Sequence, residues 1–597
     1  MNPQLQLMLQ EAYQAFQTGS FAKSYEILKE FLSITPRSFD ALHLMAIVCA
    51  SQSQHQEALD YYKVAADLNP QDASVLSNWG SSLNSVGQNE EAMTVFKKAL
   101  DIDSSAPEIW CNAANTLCDL GRHEEALYYY EKSIECDSQY FQAHNNYGKA
   151  LFDLGRHSES LAHYDNALLI SPYFLDGLIN RGEALRMLKR LDEAIAQYDK
   201  VLSLQPDHHQ AWSNKGVALH DLERFEEAIA HYDKALKLQP NYYEAWSNKG
   251  VTLHELKRLD EAISHYDKAL TLQPDYHDAS WNKCLSLLLQ GNYEDGFPLY
   301  ESRWNSKKVS EIVGKRSFNK PAWLGDESLQ GKTILIYAEQ GLGDYIQFCR
   351  YIKLVSDLGA KVILEAPQPL AELVRDLEGV TQLLVKGEDF PFFDYQCPLL
   401  SLPLALKTNL SNIPSAISYL NLDKHLDKVS EWKSRLGNKT KKRIGLVWSG
   451  NPRQKNDHNR SLLLGDLLPF LPTQFEYISL QKEVREVDKL TLDLNPQILN
   501  FTDHLNDFVD TAALINNLDL VISVDTSVAH LSGALGKRTL VLLSSIHCWR
   551  WLLERDDTPW YPSMRLYRQE AIGDWEGVFN KIKLDLNAGL DFQELKD

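Results

Sequence analysis

Several features that define whole classes of protein are missing from this chain of 597 residues. No apolar run approaches the length of a membrane span, so no membrane-spanning segment is expected. The amino terminus, MNPQLQLMLQEAYQ, lacks a basic segment followed by an apolar one, so it does not have the pattern of a secretory signal. There is no low-complexity tract, and 44% hydrophobic and 24% charged residues are typical of soluble, folded domains.

Positive charge and paired cysteines are also scarce. The chain has 60 Lys and Arg residues against 81 Asp and Glu residues, a formal net charge of −21. Because phosphate binding needs a basic surface, neither nucleic acid nor an anionic membrane is expected as a partner. The eight cysteines form no CxxC pair, which predicts reduced, mostly buried thiols in a cytoplasmic protein rather than disulfides or a zinc site.

A period of 34 residues organises the first half of the chain. Each unit holds two amphipathic helices whose small residues permit close packing, and a proline or serine ends it. The prolines are Pro36, Pro70, Pro172, Pro206, Pro240 and Pro274, and a glycine column runs through Gly80, Gly148, Gly182, Gly216 and Gly250. This pattern resembles the tetratricopeptide repeat, which implies an all-α superhelix of about eight to nine repeats.

One polar column of the array is predicted to face the concave groove of that superhelix. It consists of Asn78, Asn112, Asn146, Asn180, Asn214, Asn248 and Asn282. An asparagine amide both donates and accepts, so such a ladder could hold an extended peptide backbone. The repeats of the protein O-GlcNAc transferases have a ladder of this kind, and this one looks similar. Asparagine is also common at this repeat position, so a merely solvated column is the alternative.

The pattern changes at about residue 332, where strands begin to alternate with helices. Runs such as Thr333–Tyr337, Arg443–Trp448 and Leu520–Val524 are typical of strands buried on both faces. This alternation predicts parallel, doubly wound sheets in two lobes, and a last helix from Trp575 to Leu590 that could cross back to the first lobe. The expected domains are the repeat array at 1–308, a linker at 309–331, and lobes at 332–438 and 439–597.

Four motifs occur in an informative order in this half: EQGLGDYIQFCRY, WSGNPRQKNDHNRS, SVDTSVAHLSGALGK and CWRWLLERDDTPWYPSMRLYRQ. Together they resemble the heptosyltransferase-related glycosyltransferases, which have the α/β GT-B fold of two Rossmann-like lobes around a cleft. The resemblance covers residues 330–580 and implies inverting sugar transfer from a nucleotide-diphosphate donor. The first lobe looks shorter than is usual in that family, so the acceptor does not follow from it. The overall plan also resembles protein O-GlcNAc transferase, in architecture only.

These motifs supply candidate residues for the chemistry. The turn after Leu520–Val524 aims backbone N–H groups and a helix dipole at an anion, here the leaving diphosphate. Asp344 matches the position of the family's catalytic base. The donor-binding candidates are Gly341, Gly343, Asn451, Arg453, Lys455, Arg460, Ser523, Asp525, Thr526, Ser527 and His530. The second half has no DxD motif, so neither a metal nor a cofactor is expected, and the nucleotide sugar is the substrate.

Structural roles are open for several of these residues. Asp344 could be only a helix cap, His530 could be a core histidine, and the basic run at 453–460 could be a solvated cluster. Trp549, Trp551 and Trp560 are expected to pack between the lobes. Arg550 and Arg555 are expected to pair with their acidic neighbours Glu554, Asp556 and Asp557.

The sequence therefore predicts a bacterial glycosyltransferase whose repeat array recruits a protein or peptide acceptor. Two alternatives stay open. One keeps the chemistry but takes a glycan or lipid-linked saccharide as acceptor. The other is a scaffold whose GT-B domain has lost catalysis. Neither the sugar nor the nucleobase follows from the motifs, because both depend on loop geometry.

Overall fold

A computed structural model describes residues 3–306, 309–310, 314–454 and 457–589. The chain divides into two compact units, Met1–Ala245 and Trp246–Asp597, which we call the amino-terminal and carboxyl-terminal units. The predicted boundaries at 308, 331 and 438 follow sequence patterns rather than compactness, and they stay predictions. No helix among the described residues is both long enough and apolar enough to cross a membrane.

The described part of the amino-terminal unit is built from helices alone. Their bounds are α1 (Pro3–Gln17), α2 (Phe21–Ile34), α3 (Phe39–Ser51), α4 (His55–Leu68), α5 (Ala73–Ser85), α6 (Asn89–Ile102), α7 (Pro107–Asp119), α8 (His123–Cys136), α9 (Phe141–Asp153), α10 (His157–Ile170), α11 (Leu175–Met187), α12 (Leu191–Leu204), α13 (His209–Asp221) and α14 (Phe225–Leu238). Helix α15 (Tyr243–Glu255) begins at the end of this unit.

The glycine column explains how the two helices of a repeat approach each other. A Cβ atom built on Gly216 would lie 2.7 Å from Cε1 of Tyr232, a side chain that is 1% exposed. The same contact recurs between Gly148 and Tyr164 and between Gly182 and Tyr198. A side chain larger than hydrogen would displace a buried ring, so the column records close helix packing rather than flexibility.

The carboxyl-terminal unit begins with the last helices of the repeat pattern. These are the rest of α15, then α16 (Leu259–Leu272), α17 (His277–Leu289), α18 (Tyr293–Tyr300) and a 3₁₀ turn at Glu301–Trp304. From α1 to α18 the described helices follow one another as nine helix–turn–helix pairs, as the period predicted.

The first sheet of this unit has four parallel strands in the order β3-β2-β1-β4. The strands are β1 (Thr333–Tyr337), β2 (Lys361–Ala366), β3 (Val380–Val385) and β4 (Tyr395–Pro398), with helices α19 (Leu342–Phe348), α20 (Ile352–Asp357) and α21 (Leu402–Ala405). Helix α22 (Leu426–Leu436) leads to the second sheet. The chain moves outward from β1 to β3 and then returns to the other side of β1, so the end of β1 is a topological switch point.

The second sheet has six parallel strands in the order β10-β9-β8-β5-β6-β7. The strands are β5 (Arg443–Val447), β6 (Glu476–Ser479), β7 (Ile498–Asn500), β8 (Leu520–Val524), β9 (Thr539–Leu543) and β10 (Met564–Arg568). The helices are α23 (Asp457–Arg460), α24 (Leu464–Leu467), α25 (Glu486–Asp493), α26 (Phe508–Asn516), α27 (Ser527–Ala534) and α28 (Trp575–Asn587). Its switch point lies between β5 and β8, the two strands from which the chain leaves in opposite directions.

The last helix corrects one expectation. Val578, Phe579 and Ile582 of α28 belong to the hydrophobic core that also contains Ile444 of β5 and Ile522 of β8. The described part of the helix therefore packs on the second sheet and does not cross back to the first lobe. The predicted end at Leu590 lies outside the described residues.

Candidate functional site

One cleft of about 920 Å³ opens at the switch points of both sheets, within the carboxyl-terminal unit. The loops that follow β1, β5 and β8 all line it. In open parallel sheets, ligands bind at the carboxyl ends of the strands, which is where these loops begin. Most of the predicted donor and catalytic residues lie on its walls: Gly341, Gly343, Asp344, Asn451, Arg453, Arg460, Asp525, Thr526, Ser527 and His530. Ser523 is fully buried and does not line the cleft, and Lys455 lies outside the described residues.

Asp344 lies at the first turn of α19 and has both carboxylate oxygens engaged. Its Oδ2 accepts a hydrogen bond from the Gly341 N–H at 3.2 Å, which caps the helix. Its Oδ1 forms an ion pair with Nη2 of Arg550, from the other lobe. The expectation that Arg550 pairs with its acidic neighbours was wrong, because folding brings Asp344 to it. Arg555 does pair with Asp557, at 2.5 Å.

The two lobes touch where Gly343 meets His530. A Cβ atom on Gly343 would lie 2.9 Å from Cδ2 of His530 and 3.5 Å from Cα of Ser527. No side chain fits in this space without displacing the histidine, so a glycine is required for the first-lobe loop to approach α27. This contact is what brings Asp344 beside the turn that precedes α27.

His530 lines the cleft, but its side chain is buried and is not an exposed hydrogen-bond donor. Its Nδ1 lies 2.9 Å from the Tyr561 hydroxyl, and its ring stacks on Trp551 with centroids 5.3 Å apart. Burial, with the charges of Arg550 and Arg350, lowers its pKa well below the usual value, so the ring is neutral at physiological pH. Its Nε2 lies 3.8 Å from Oδ1 of Asp525.

The turn between β8 and α27 presents unpaired backbone donors to the cleft. Thr526 is the N-cap residue, and its carbonyl accepts from the His530 N–H at 3.3 Å. No described acceptor bonds the N–H groups of Ser527 and Val528, both of which line the cleft. Ser523 lies beneath the turn, where its Oγ is 3.2 Å from Oγ1 of Thr526. Unpaired N–H groups at the start of a helix are suited to an anion, and the binding of a diphosphate at this turn stays a prediction.

Two of the three predicted cations, Arg453 and Arg460, lie in the described part of the chain, and they differ in their partners. Arg460 donates to the Asp525 carbonyl at 2.8 Å and to Oδ1 of Asp457 at 3.3 Å, so it holds two loops together. Arg453 is exposed at the rim, and no carboxylate within the described residues pairs with it. Asp457 also pairs with Arg485, a residue that carries no motif and that sequence reasoning missed.

Asp525 is the second aspartate of the cleft, which Glu255 and Glu483 also line. Burial raises its pKa, the nearby charge of Asp344 acts in the same direction, and Arg460 and Arg550 act against them. An acid with a raised pKa in a cleft is a candidate for proton exchange or for a hydrogen bond to a ligand hydroxyl.

Repeat helices supply another wall of the cleft, which the motifs did not indicate. His254 of α15, Trp281 of α17 and Tyr300 of α18 line it together with the α/β loops. Burial lowers the pKa of His254 to about 4, and its Nδ1 lies 2.7 Å from Oγ of Ser286. The only signal for this wall in the sequence is the loss of the repeat columns after Leu285.

The three predicted packing tryptophans are buried. Trp551 and Trp560 are fully buried, and Trp549 is 5% exposed at the edge of the cleft. Trp560 donates from Nε1 to the Tyr293 hydroxyl at 3.1 Å, and Trp549 lies against the same ring. In the described residues no three His, Cys, Asp or Glu side chains gather in an arrangement that could hold a metal ion.

A separate groove of about 480 Å³ lies in the amino-terminal unit and contains part of the asparagine ladder. Asn146, Asn180 and Asn214 line it together with Asn145 and Tyr242. All seven ladder asparagines are half-buried.

Some side-chain amides of the ladder are hydrogen-bonded within the protein, and others are available to a ligand. Asn146 donates to Oδ1 of Asn115 at 3.1 Å, and Asn180 donates to Oδ1 of Asn145 at 3.0 Å. Asn78 likewise lies 3.2 Å from a ring nitrogen of His43. The Asn214 amide forms no hydrogen bond with any described group, so both its donor and its acceptor are available to a ligand.

Family models match the repeats and not only their pattern. Residues 80–117 and 114–155 match a TPR-repeat model, and residues 141–174, 175–208, 209–242 and 243–276 match tetratricopeptide-repeat models. The curated relative FlbA of Caulobacter vibrioides is 26% identical over 329 residues, which cover 50% of this chain and 52% of FlbA. The chain thus spans about half the length of that relative.

Solved structures align over part of the chain. One chain in the crystal structure of the APC/C hetero-tetramer Cut9–Hcn1 is 20% identical to this chain, with a TM-score of 0.37. The alignment covers 47% of this chain and 55% of that one. YrrB, described as a TPR protein with an unusual peptide-binding site, is 24% identical with a TM-score of 0.26, over 31% and 95%. On the family matches and the helix pairs, the first ~290 residues are a tetratricopeptide-repeat array, which indicates a protein partner, and parallel-sheet α/β structure follows.

Proposed function

We propose that this protein is a glycosyltransferase that takes a nucleotide-diphosphate sugar in the cleft and a protein or peptide as acceptor. The observation that carries the proposal is the convergence of two loops from separate parallel sheets. The loop after β1 brings Asp344, and the turn after β8 brings the free N–H groups of Ser527 and Val528. A base on one lobe and N–H groups suited to an anion on the other agree with what the resemblance to GT-B transferases of the heptosyltransferase type implies.

The transfer asks for two electrostatic functions. The acceptor hydroxyl attacks the anomeric carbon of the sugar, its proton passes to Asp344, and the bond between that carbon and the diphosphate oxygen breaks. The electron pair of that bond leaves with the diphosphate, which the N–H groups of Ser527 and Val528 and the Arg453 guanidinium stabilise. Fixed donors of this kind need no reorganisation when the negative charge develops.

The proposed acceptor site is the groove in the amino-terminal unit. An asparagine amide both donates and accepts, so a row of such amides can bond the N–H and C=O groups of an extended polypeptide backbone. The free amide of Asn214 and the half-buried amides of Asn146 and Asn180 line this groove, and the repeat array that carries them is of a kind that binds proteins.

Donor binding is tested first by the melting temperature of the full chain against UDP-, GDP-, ADP-, CDP- and dTDP-sugars. A ligand that binds the folded state alone raises that temperature as its concentration rises. We expect one nucleotide family to do so and Asp344→Asn to show at least the same shift while turnover falls by roughly 10²- to 10⁴-fold. The control Asp557→Asn removes an ion-paired carboxylate outside the cleft and should keep turnover. The absence of a shift with every donor would favour a scaffold without catalysis.

Acceptor recruitment is tested by changing the groove alone. The triple variant Asn146→Ala, Asn180→Ala and Asn214→Ala should raise the KM for a protein acceptor and leave donor binding unchanged. A matched control replaces Asn89 or Asn495, which are half-buried asparagines outside the groove. An unchanged KM of the triple variant for a protein acceptor would overturn recruitment by the groove and assign the repeats to assembly, whereas turnover of glycans alone would point to a glycan acceptor.

A further inference from the structure

Arg550 is a buried arginine with most of its hydrogen-bonding capacity unused. It lies in the 3₁₀ turn Trp549–Trp551, lines the cleft and is 8% exposed. Its Nε is buried without a hydrogen-bond partner among the described residues. Within the part of the chain that the structure describes, its Nη1 contacts only the weak acceptor Sγ of Cys548, at 3.7 Å. Asp344 is the one described carboxylate with which Arg550 pairs.

Arg303 in the same unit shows what a structural arginine looks like. It is fully buried, and its donors are used on two carboxylates, a carbonyl and a hydroxyl. A buried donor left unpaired is unfavourable unless a ligand satisfies it. The unused donors of Arg550 therefore indicate that a ligand with several hydrogen-bond acceptors binds to them.

The position of Arg550 indicates the charge of that ligand. It shares the cleft with the free N–H groups of Ser527 and Val528 at the start of α27, where a helix dipole favours an anion. Its planar fork of donors fits phosphate oxygens in pairs. The rings of Trp549 and Phe348, with centroids 4.7 and 5.6 Å from the guanidinium carbon, fix the plane of the fork.

We infer that Arg550 is a phosphate-binding residue that holds Asp344 in an ion pair until a diphosphate anion enters the cleft. The anion takes the guanidinium, Oδ1 of Asp344 is released, and the carboxylate becomes able to accept a proton from the acceptor. The base is thereby assembled only when the donor is present. The identity of the anion as a diphosphate rests on the proposed function. The competition between an anion and the Asp344 carboxylate rests on the ion pair and the unpaired Nε of Arg550.

Competition for Arg550 and simple charge repulsion by Asp344 predict different effects of mutations on the affinity for the anion. If Asp344 and the diphosphate compete for Arg550, removal of the carboxylate tightens anion binding only while Arg550 is present. A long-range repulsion between Asp344 and the anion would act equally with and without Arg550. A double-mutant cycle separates the two cases.

The experiment is calorimetric titration of inorganic pyrophosphate and of UDP, GDP, ADP, CDP and dTDP into the full chain. We expect Asp344→Asn to bind pyrophosphate and the accepted nucleotide about tenfold more tightly, and Arg550→Gln about tenfold more weakly. In the Arg550→Gln background, Asp344→Asn should have no further effect. Arg550→Lys, which keeps the charge and loses the fork, should lie between wild type and Arg550→Gln.

The outcomes decide between the two proposals. Equal tightening by Asp344→Asn in both Arg550 backgrounds overturns the ion-pair competition and leaves the transferase proposal intact. Binding with the expected coupling but no turnover of any nucleotide sugar overturns the transferase and keeps the anion site. Failure of the wild type to bind pyrophosphate and all five nucleotides overturns both. Melting temperatures of each variant, with Asp557→Asn as control, show that the fold is retained.

Discussion

The two units of this protein use charged side chains in opposite ways. In the amino-terminal unit an arginine before the second helix of four repeats pairs with a glutamate three residues later: Arg122–Glu125, Arg156–Glu159, Arg190–Glu193 and Arg224–Glu227. These pairs are exposed and recur with the repeat. In the carboxyl-terminal unit, Arg303 and Glu339 form a pair that is almost completely buried and has no counterpart elsewhere in the described residues.

This difference predicts which ion pairs can be removed from each unit without a large loss of stability. A repeat array divides its stability and its binding surface among many similar units, so the loss of one exposed pair removes little. A buried network joins elements from distant parts of the chain. Arg303 follows α18, Glu339 follows β1, and Ser401 follows β4, and a guanidinium bonds them together. Because Glu339 begins the loop that carries Asp344, this network supports the cleft directly.

The largest effect is expected from Arg303→Leu. The change leaves the Glu339 carboxylate buried without its partner, and the loss of one member of a buried pair costs about 3–5 kcal/mol. The free energy of unfolding from urea titration, together with hydrogen exchange of Thr333–Tyr337, measures it. The double variant Arg303→Leu with Glu339→Leu should recover part of the loss. A cost within the error of the measurement would remove the contrast between the units.

A smaller effect is expected at acidic pH from His254. Burial lowers its pKa from 6.5 to about 4, so below pH 6.5 the unfolded chain takes up a proton that the folded chain does not. Its contribution is complete above pH 6.5 and is lost as the pH falls towards 4, by about 2 kcal/mol at pH 5.

His254→Asn tests that contribution without removing the polar contact. The variant should lose less stability between pH 7 and pH 5 than the wild type does, as measured by urea titration at each pH. The exposed His504 serves as the matched control, and His504→Asn should follow the wild-type profile. If His254→Asn also follows the wild-type profile, the histidine is not buried in the way its contacts indicate.

The smallest effect is expected from Arg224→Ala. Its partner Glu227 is exposed, so water replaces the ion pair and the urea midpoint should stay unchanged. This variant is the counterpart of Arg303→Leu, because both remove an arginine that bonds a glutamate. A clear loss of stability from Arg224→Ala would mean that the repeats are coupled more strongly than nearest-neighbour stacking predicts.

Much of the architecture follows from local pattern. The repeat period predicted the helix pairs, and Thr333–Tyr337 and Leu520–Val524 were predicted as strands with the bounds that the structure has. Strands β7 and β10 were missed, because three- and five-residue strands with mixed burial lack the apolar run that marks a buried strand. The destination of α28 was wrong, because an amphipathic helix does not encode which of two sheets its apolar face will meet.

The candidate site divides in the same way. The motifs indicated Asp344, Asp525 and the turn before α27, since a loop after a buried strand places its residues at the edge of a sheet. They did not indicate Trp281 or the ion pair of Arg550 with Asp344, because Trp281 reaches the cleft from a repeat helix and the ion pair joins two distant segments. The predicted roles of the donor-binding residues and of the asparagine ladder stay predictions until ligands are measured.

The sequence by itself determined the periodic features of this protein: the 34-residue repeat, the alternation of strands and helices, and the loops that follow buried strands. Each of these is a local property, set by hydrophobic spacing and by small or turn-forming residues within a few tens of positions. Only the tertiary structure decided that Arg550 meets Asp344, 206 positions away, and that repeat helices wall the cleft. Such contacts depend on how two sheets and the last repeats pack, and no local pattern records that packing.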